Sequence, residues 1–540
     1  MPMSFSRIDV DMRPPWFSRS DGLFLLIASG IACFSAACVA IATSRGADMS
    51  HDSVAYIGAV RSLVEGRGLV IPFGADQPVP LTRWPPLYPL VLAMAGAVTH
   101  DIEGAARWLS AGLFALNTIL IAALGRKLTN CAIFGYAAAV VFASSFTMLR
   151  LHTMAMAEPL FILLALVCTY YLDDHLTTGK TAPLLAASVA AGLIVVTRYA
   201  GLPFIVWGAI VVFFRHRSSM RPWIDAVIWT LAAAAPIMLV TAWNVRGDGW
   251  VAHRTLTWHP QSGIFFSRML AGVTECILPE SLPHRNWVMA AGCLVLTPIA
   301  ARYLIRRPEF RASYLAFLIA LNVAFLIGVG LFLGLDADLD IRRAIKPVFP
   351  FLILLAVCAG SRLLRTRTIR IAVLSGVCAA MALPNSPDMY RWVVEGSQSG
   401  LGFGNRQWRE SATIAFIQNL PAKTVVYTNL PEPVYLVTGR NARFLPIVED
   451  MVNRRRMTAA EIDLAVSGIA GRARSGDAVA VYFVRDEIRL PIMIAASDLA
   501  ARCGLTRVIA FDDGTAYTSG DAAGSHARLR YTGQRGVPGR

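Results

Sequence analysis

Asp52 lies in a polar stretch, residues 45–103, which separates two long apolar runs of the chain. We call this stretch the first loop. In a chain this hydrophobic, it either connects two segments through water or forms an active site. A carboxylate there can act as a general base toward a hydroxyl group, with His51 and Tyr56 beside it. Asp52 also directly precedes a helical pattern, where aspartate commonly caps the first backbone N–H groups. The residues alone leave both roles open.

A second carboxylate, Glu158, stands beside Pro159 at the start of a later apolar run. Proline is favoured in the first turn of a helix, and an acid there interacts well with the positive end of the helix dipole. A helix-terminal role therefore explains the pair. Ionisable residues at the edge of a membrane bundle are costly and often functional, so Glu158 could instead face the same cavity as Asp52.

Three basic residues, Arg342, Arg343 and Lys346, stand together at the start of a late apolar run. The loop charges described below place them on the outer side of the membrane, where basic residues are less common. Arg198 is a similar outer-side exception. A phosphate group is a natural ligand, since arginine offers a planar fork to phosphate oxygens. Alternatively, the three bases pair with the acids that precede them, which are Asp336, Asp338 and Asp340.

The composition is that of a membrane protein. Of the 540 residues, 55% are hydrophobic and 16% are charged, and the mean hydropathy is +0.53. Soluble domains carry about 25% charged residues. The net charge of +15 comes largely from basic residues in short loops between apolar runs, as expected for contact with anionic lipid headgroups. We therefore expect the lipid bilayer, and not nucleic acid, as the partner.

Runs long enough to cross the hydrocarbon, which takes roughly 20 residues, predict about eleven transmembrane helices. We interpret the N-terminal run as a retained first helix, because no small-residue cleavage site followed by a soluble domain appears. The runs lie near residues 22–44, 104–125, 131–149, 157–173, 181–197, 199–214, 223–244, 287–305, 313–334, 345–361 and 370–384.

The orientation follows from arginine and lysine in the short loops, which favour the cytoplasmic side. Arg126, Lys127, Arg306 and Arg307 stand in such loops, so the N-terminus is predicted inside. The outer side then receives the long loops and everything after about residue 385. This arrangement predicts a multi-pass membrane protein with a cytoplasmic N-terminus and a periplasmic or extracytoplasmic C-terminal domain; a bacterial inner (plasma) membrane is what the family resemblance given below implies.

Within the first loop, the pattern predicts two helices. Apolar residues from Ser53 to Glu65 recur every three to four positions, which is typical of an amphipathic helix, and Gly66 and Gly68 end it. The apolar run from Leu87 to Val98 is too short to span. We interpret it as a re-entrant or surface-lying helix, because counting it as a span would invert every later loop.

The predicted organisation has three parts. Residues 1–384 form the membrane domain, residues 385–519 mix helix and strand patterns typical of a small α/β domain, and the Gly/Ser/Arg-rich residues 520–540 are predicted to be disordered. The nine cysteines show no metal-ligand spacing, so no metal site is predicted; a disulfide between Cys276 and Cys503 is possible.

Five segments together resemble membrane glycosyltransferases of the C-type (GT-C) fold that use polyprenyl-phosphate sugars. That family includes aminoarabinose transferases acting on lipid A, protein O-mannosyltransferases and related bacterial core-sugar transferases. The segments are HDSVAY at 51–56, WPPLYP at 84–89, EPLF at 158–161, TRYAG at 197–201 and RAIKPVFP at 343–350. Trp84 replaces the histidine of the family pattern, and Ala344-Ile345 replace Tyr-Leu. The resemblance covers about residues 20–450.

The resemblance implies inverting transfer of a sugar from a polyprenyl-phosphate carrier to a hydroxyl group of a glycan, lipid or protein. Asp52 would orient and deprotonate the acceptor. Arg343, helped by Arg342 or Lys346, would bind the donor phosphate and stabilise it as it leaves. No cofactor is implied, and catalysis is expected to be metal-independent. The substrate-binding positions it suggests are His51, Tyr56, Arg83, Tyr88, Glu158, Arg198 and Tyr199.

Two other functional classes share many of these features. A lipid-linked sugar transporter or flippase would also bind an anionic lipid between spans, but transporters often show internal repeats and charges deep in mid-span. Neither feature is evident here. A non-catalytic envelope-assembly subunit would use the α/β domain to dock a partner, and it would tolerate substitution of Asp52 and Arg343.

Overall fold

A computed structural model describes much of the chain as helix. It covers residues 19–519 except 216–220, 247–257, 262, 280, 286, 288, 290–309, 334–339, 365, 451–454 and 485–489. The predicted disordered tail, residues 520–540, lies outside it. The helices of the membrane part are α1 (Arg19–Ala42), α2 (His51–Val64), α3 (Leu87–Thr99), α4 (Ile102–Thr129), α5 (Ala132–Ala143), α6 (Phe146–Thr153), α7 (Glu158–Thr178), α8 (Thr181–Thr197), α9 (Leu202–Arg215), α10 (Arg221–Arg246), α11 (Gly263–Ile277), α12 (Phe310–Leu333), α13 (Asp340–Ile345), α14 (Phe349–Leu363) and α15 (Arg367–Ser399).

In the described part of the chain, seven helices are long and apolar enough to cross a membrane. An eighth crossing results if α5 and α6, which meet at a bend of 63°, form one broken span. Each predicted span within the described residues falls on a helix, whereas most of the run at 287–305 lies outside them. The chain is therefore a multi-pass membrane protein. The predicted total of about eleven would also require α8, α9 and the run at 287–305 to span.

The last long helix, α15, extends beyond the predicted membrane domain. It has 33 residues and runs from Arg367 to Ser399, so the boundary expected at residue 384 falls inside it. At about 1.5 Å per residue, its length is greater than the hydrocarbon thickness. The helix thus leads directly from the bundle toward the C-terminal domain.

The first loop folds into α2, a two-stranded hairpin and α3. The hairpin pairs β1 (Val70–Ile71) with β2 (Val79–Pro80) in antiparallel register. Gly66 and Gly68, at φ +78° and +79°, turn the chain out of α2 as expected. The capping role considered for Asp52 is wrong, because Ser50 is the N-cap and its hydroxyl accepts the Ser53 N–H at 3.3 Å. Asp52 stands in the first turn with its carboxylate available for other contacts.

An apolar core fixes the position of α2. Val54, Tyr56, Tyr88 and Leu92 are all buried, and they pack with Met156 of the bundle. Because burial of apolar surface is the main stabilising contribution to packing, this cluster holds α2 against α3 and the bundle. The first residues of α2, including Asp52, are positioned by that contact.

The C-terminal part is a small α/β domain, as predicted. Its five-stranded sheet has the order β4-β3-β7-β9-β8, in which β4, β3 and β7 are parallel and β9 is antiparallel to both of its neighbours. These strands are β3 (Val425–Thr428), β4 (Arg443–Phe444), β7 (Ala478–Phe483), β8 (Leu505–Phe511) and β9 (Gly514–Ser519). A separate ladder pairs β5 (Glu449–Asp450) with β6 (Arg455–Arg456). The helices are α16 (Arg406–Arg409), α17 (Ala412–Gln418), α18 (Pro431–Thr438), α19 (Ala459–Arg474) and α20 (Ala496–Cys503).

This domain packs directly on the first loop. Phe73 stacks on Tyr435 of α18 with ring centroids 4.9 Å apart, and the Arg61 guanidinium lies over the same tyrosine. Next to Phe73, the backbone of Gly74 bonds with that of Ala442 and Phe444 at the edge of the sheet. The C-terminal domain therefore helps to hold the helix that carries Asp52.

The structure does not pair the two cysteines considered for a disulfide. Cys276 and Cys503 are both free and buried. Cys276 belongs to the core of the helical bundle, and Cys503 belongs to the core of the C-terminal domain. Their separation into different cores explains why they do not bond.

Candidate active site

Asp52 and Arg343 meet although 291 positions separate them in the sequence. Arg343 Nη2 donates to Asp52 Oδ2 at 2.7 Å. The arginine comes from α13, and the aspartate comes from the first turn of α2. Both side chains keep part of their surface exposed, at 29% for Arg343 and 18% for Asp52, so a substrate can reach the pair.

Glu158 extends this pair into a network of alternating charge. Its side chain is fully buried, Arg343 Nε lies 3.2 Å from its Oε1, and Arg198 forms an ion pair with the same oxygen. The order is Asp52, Arg343, Glu158, Arg198. A buried carboxylate is costly unless opposite charges accompany it, so the two arginines stabilise Glu158 where it stands. Glu158 is thus joined to Asp52 through Arg343, and substrate binding by Glu158 stays a prediction.

The charges around Asp52 determine its protonation. Burial alone would raise the pKa of this carboxyl, but Arg343, Arg83 and Arg198 together with the Arg343 hydrogen bond outweigh it and hold the pKa below its ordinary value of 3.8. Asp52 is therefore a carboxylate at neutral pH and can accept a proton. Burial and the Asp52 charge raise the pKa of the Tyr56 hydroxyl well above its ordinary value, so Tyr56 is a neutral donor and not a base.

A cluster of aromatic rings packs next to Asp52. Tyr56 packs edge-on against Tyr88 and Trp84, with ring centroids 5.1 and 6.1 Å away, and the Arg83 guanidinium lies over the Trp84 ring. Tyr56 and Tyr88 are 1% and 0% exposed. Both rings belong to the buried cluster that holds α2 in place, and direct binding of a substrate by Tyr56 or Tyr88 stays a prediction. Tyr199 adds a link between elements, since its hydroxyl donates to the Thr82 carbonyl at 3.2 Å.

His51 turns toward the C-terminal domain. Its Nδ1 lies 3.3 Å from Oε1 of Glu432, a side chain that is only 5% exposed, and its ring packs edge-on against Phe403. Glu432 was not a candidate from the sequence, where an acid in the Pro-Glu-Pro segment of α18 gives no signal of a long-range partner. The structure thus links the residue next to Asp52 to the neighbouring domain.

The three basic residues predicted to act together contact acids in two different places. Arg343 faces Asp52 and Glu158, whereas Arg342 and Lys346 contact Glu275 of α11. Two of the acids considered as alternative partners, Asp336 and Asp338, lie outside the described residues. Glu275 was missed because it is a single acid within an otherwise apolar helical pattern, which by itself predicts only packing.

A small groove lies beside the charged network. Arg198 lies at its wall, and Ala344 and Pro347 flank it from the segment that carries the basic residues. Most of the remaining lining is apolar and comes from the helices of the bundle, including Phe161, Phe204, Leu326 and Phe351. The site therefore combines a polar centre with an adjoining, mostly apolar groove. Among the residues described, no group of three or more His, Cys, Asp or Glu side chains is arranged to hold a metal ion.

Comparison with known proteins gives structural likeness without sequence likeness. No family model and no curated protein matches the sequence. ArnT from Cupriavidus metallidurans in the apo state is similar with a TM-score of 0.56 and 14% identity, over 93% of this chain and 98% of ArnT. ArnT from the same organism bound to undecaprenyl phosphate is similar with a TM-score of 0.52 and 14% identity, over 92% of this chain and 97% of ArnT.

A third structure is more distant but has the same architecture. The oligosaccharyltransferase AglB from Archaeoglobus fulgidus, in complex with an inhibitory peptide and a dolichol-phosphate, gives a TM-score of 0.50 and 12% identity over 86% of this chain and 70% of AglB. At this level of identity the likeness concerns the fold. With its helical bundle, first loop and C-terminal sheet domain, this chain has the GT-C fold.

Proposed function

We propose that this protein is an inverting glycosyltransferase that moves a sugar from a polyprenyl-phosphate carrier to an acceptor hydroxyl group at the outer face of the membrane. The observation that carries the proposal is the contact between Asp52 and Arg343 beside an apolar groove. Support also comes from the fold, since ArnT was solved with undecaprenyl phosphate and AglB with a dolichol-phosphate. Such a reaction needs a carboxylate to accept a proton, a guanidinium to bind a phosphate and an apolar groove to hold a lipid chain.

In the proposed reaction, the acceptor oxygen attacks C1 of the sugar from the face opposite the phosphate. A new C1–O bond forms while the bond from C1 to the phosphate oxygen breaks, and the phosphate leaves with the electron pair. Asp52 takes the proton of the acceptor hydroxyl. Arg343 stabilises the charge that develops on the leaving phosphate. A lipid phosphate is already a good leaving group, so no separate acid is required.

The neighbouring charges fit supporting roles. Glu158 holds Arg343 and Arg198 from the buried side, so that both guanidinium groups stay near the point where the phosphate would bind. Arg342 and Lys346 add positive charge next to Arg343 and are proposed to assist it. The mostly apolar lining of the groove beside Arg198 suits the first isoprene units of the carrier, since polar groups facing a hydrocarbon chain would be left without hydrogen-bond partners.

The orientation supports chemistry at the outer surface. The basic short loops favour a cytoplasmic N-terminus, and we propose that the first loop and the C-terminal domain lie outside the inner membrane of a bacterium. The acceptor is then a hydroxyl group on a glycan, lipid or protein of the envelope. We propose that no metal or cofactor is needed, because Asp52 and Arg343 supply the base and the electrostatic stabilisation.

The test is the variant Asp52→Asn, which keeps the shape of the side chain and removes its basicity. We expect kcat/KM for sugar transfer to fall by at least about a hundredfold, since a general base contributes about that much. The measurement is transfer by protein purified in nanodiscs, with the donor lipid first identified by mass spectrometry of the lipids that copurify.

Asp101→Asn is the matched control. Asp101 caps α4 by accepting the Gly104 N–H at 3.0 Å, and asparagine caps a helix equally well. This change removes the same charge from the same loop and should leave transfer unaffected. Full transfer by Asp52→Asn would remove Asp52 from the mechanism. Lipid translocation without transfer would instead identify a flippase.

A further inference from the structure

The short helix α13 and Lys346, the residue that follows it, present basic side chains in two directions. Arg343 faces Asp52 and Glu158, while Arg342 and Lys346 face Glu275. Neighbouring residues on a helical turn are about 100° apart, whereas residues four positions apart share one face. The direction in which the Arg343 side chain points therefore depends on the contacts that Arg342 and Lys346 make.

Glu275 holds that other face. Its side chain is 3% exposed, Lys346 Nζ lies 3.1 Å from its Oε2, and Arg342 forms an ion pair with its Oε1. Arg285 Nη2 lies 3.4 Å from the same Oε1. A carboxylate taken out of water is costly unless its partners stay in place, so rotation of α13 away from Glu275 is unfavourable.

A backbone contact fixes the same relationship independently of charge. A Cβ atom added at Gly272 would lie 2.6 Å from the carbonyl oxygen of Arg342 and 2.6 Å from Cγ2 of Ile345. Helix α11 therefore fits against the backbone of α13 at the position where Glu275 binds the side chains. Two different contacts, one steric and one electrostatic, set the rotation of α13 about its axis.

We infer that Glu275 is a positioning residue for Arg343: by binding Arg342 and Lys346 from α11, it holds α13 in the rotation that presents Arg343 to Asp52 and Glu158. The positioning itself follows from the contacts, and its effect on catalysis rests on the proposed glycosyl transfer. Without Glu275, Arg342 and Lys346 lose the acid that they share, and α13 loses a contact that sets its rotation. The charged network then loses its single arrangement.

The test compares Glu275→Gln with Asp173→Asn. Asp173 is a second buried carboxylate, 1% exposed, that binds Arg311 and Lys127. It lies on α7 fifteen residues beyond Glu158, which is about 22 Å along the helix, so it is a control for the loss of a buried ion pair far from the site. Glu275→Asp keeps the charge and serves as the conservative variant.

Two measurements are made on full-length protein in nanodiscs. Hydrogen exchange of residues 340–348 reports whether α13 is held; we expect Glu275→Gln to raise it about fivefold or more, since local opening follows the loss of tertiary contacts. For transfer, we expect kcat to fall about tenfold or more while the donor KM changes less, because a small displacement of a catalytic group affects the transition state most. Glu275→Asp should lie close to the wild type, and Asp173→Asn should change neither quantity.

The outcomes separate this inference from the proposed function. Unchanged hydrogen exchange of residues 340–348 in Glu275→Gln would overturn the positioning role of Glu275. A raised donor KM with unchanged kcat in Glu275→Gln would also overturn it. So would a loss of kcat in Asp173→Asn equal to that in Glu275→Gln. If the wild type transfers no sugar, the proposed function fails while the exchange data still decide whether Glu275 holds α13. If Glu275→Gln does not fold, Gly272→Ala disturbs the same contact without changing a charge and should give the same pair of effects.

Discussion

Asp52 remains ionised because several arginines outweigh the effect of burial. A carboxyl whose pKa is lower in the folded protein than in the unfolded chain stabilises the fold above the unfolded pKa, and this stabilisation is lost as the pH falls through the folded pKa. For Asp52 that loss comes below the ordinary value of 3.8. The residue is thus available to accept a proton over the whole neutral range, provided that the acceptor hydroxyl displaces part of its contact with Arg343.

Arg83 provides a way to test this electrostatic argument. Its positive charge helps to lower the pKa of Asp52, so Arg83→Gln should raise that pKa. Protonation would then inactivate the base at a higher pH. We expect the acid limb of the kcat/KM profile to move to higher pH in Arg83→Gln than in the wild type, whatever the change in absolute KM.

Arg67→Gln is the control for that profile. Arg67 is an exposed arginine of the same loop that pairs with Glu65, and it is not among the charges acting on Asp52. Its profile should coincide with that of the wild type. An unmoved acid limb in Arg83→Gln would mean that the limb reports a group other than Asp52.

At the scale of elements, the hairpin of the first loop completes the edge of the C-terminal sheet. Strand β4 is the first strand in the order of the sheet, and an edge strand has backbone groups without a partner strand. Gly74 N donates to the Ala442 carbonyl at 2.7 Å, and Phe444 N donates to the Gly74 carbonyl at 3.0 Å. The loop and the domain therefore stabilise each other through backbone hydrogen bonds.

Gly74→Ala should weaken this docking. Gly74 has φ +93°, and a Cβ atom there would lie 2.9 Å from Cε2 of Phe444, so alanine adds overpacking to backbone strain. We expect a loss of about 1–3 kcal/mol from backbone strain and a further loss because the Phe444 ring, which is 36% exposed, must move aside. The measurements are Tm in detergent and the rate of proteolysis of the C-terminal domain.

Gly68→Ala separates the two contributions. Gly68 has φ +79° in the same loop, but nothing lies within 4 Å of an added Cβ atom. This variant therefore carries the strain alone. If both variants lowered Tm equally, the contact with Phe444 would contribute nothing to the docking.

At the scale of the whole molecule, charged clusters lie toward the two ends of the bundle. Glu158, at the start of α7, belongs to the candidate site, and Asp173, near the end of the same helix, binds Arg311 and Lys127. A helix that connects two such clusters across about 22 Å is consistent with one membrane crossing. The basic loop residues favour the Asp173 end as cytoplasmic.

Cysteine labelling checks this orientation. In a variant without native cysteines, Gln77→Cys in the first loop and Lys180→Cys between α7 and α8 introduce thiols at exposed positions toward the two ends of the bundle. We expect a membrane-impermeant maleimide to label position 77 in intact spheroplasts and position 180 only after permeabilisation. The opposite pattern would place the candidate site in the cytoplasm and contradict the proposed acceptor.

The sequence by itself determined the features that depend on neighbouring residues. Runs of apolar residues predicted where helices lie, and periodic patterns predicted α2, α3 and the mixed C-terminal domain, because helix formation and strand formation depend on local spacing. It also named Asp52, Glu158, Arg198 and Arg343 as candidates. It did not identify Ser50 as the cap of α2, since several polar residues near a helix start can accept the same N–H groups.

Only the tertiary structure decided which of these groups meet. Asp52 and Arg343 are 291 positions apart, and nothing in their local sequences specifies the contact. The rotation and packing of the helices bring Arg342 and Lys346 to Glu275, whereas Arg343 contacts Asp52. The same packing brings Glu432 to His51. One step along a helix turns a side chain by about 100°, so the partner of a charged residue is set by the packing of the whole bundle and not by its neighbours in the chain.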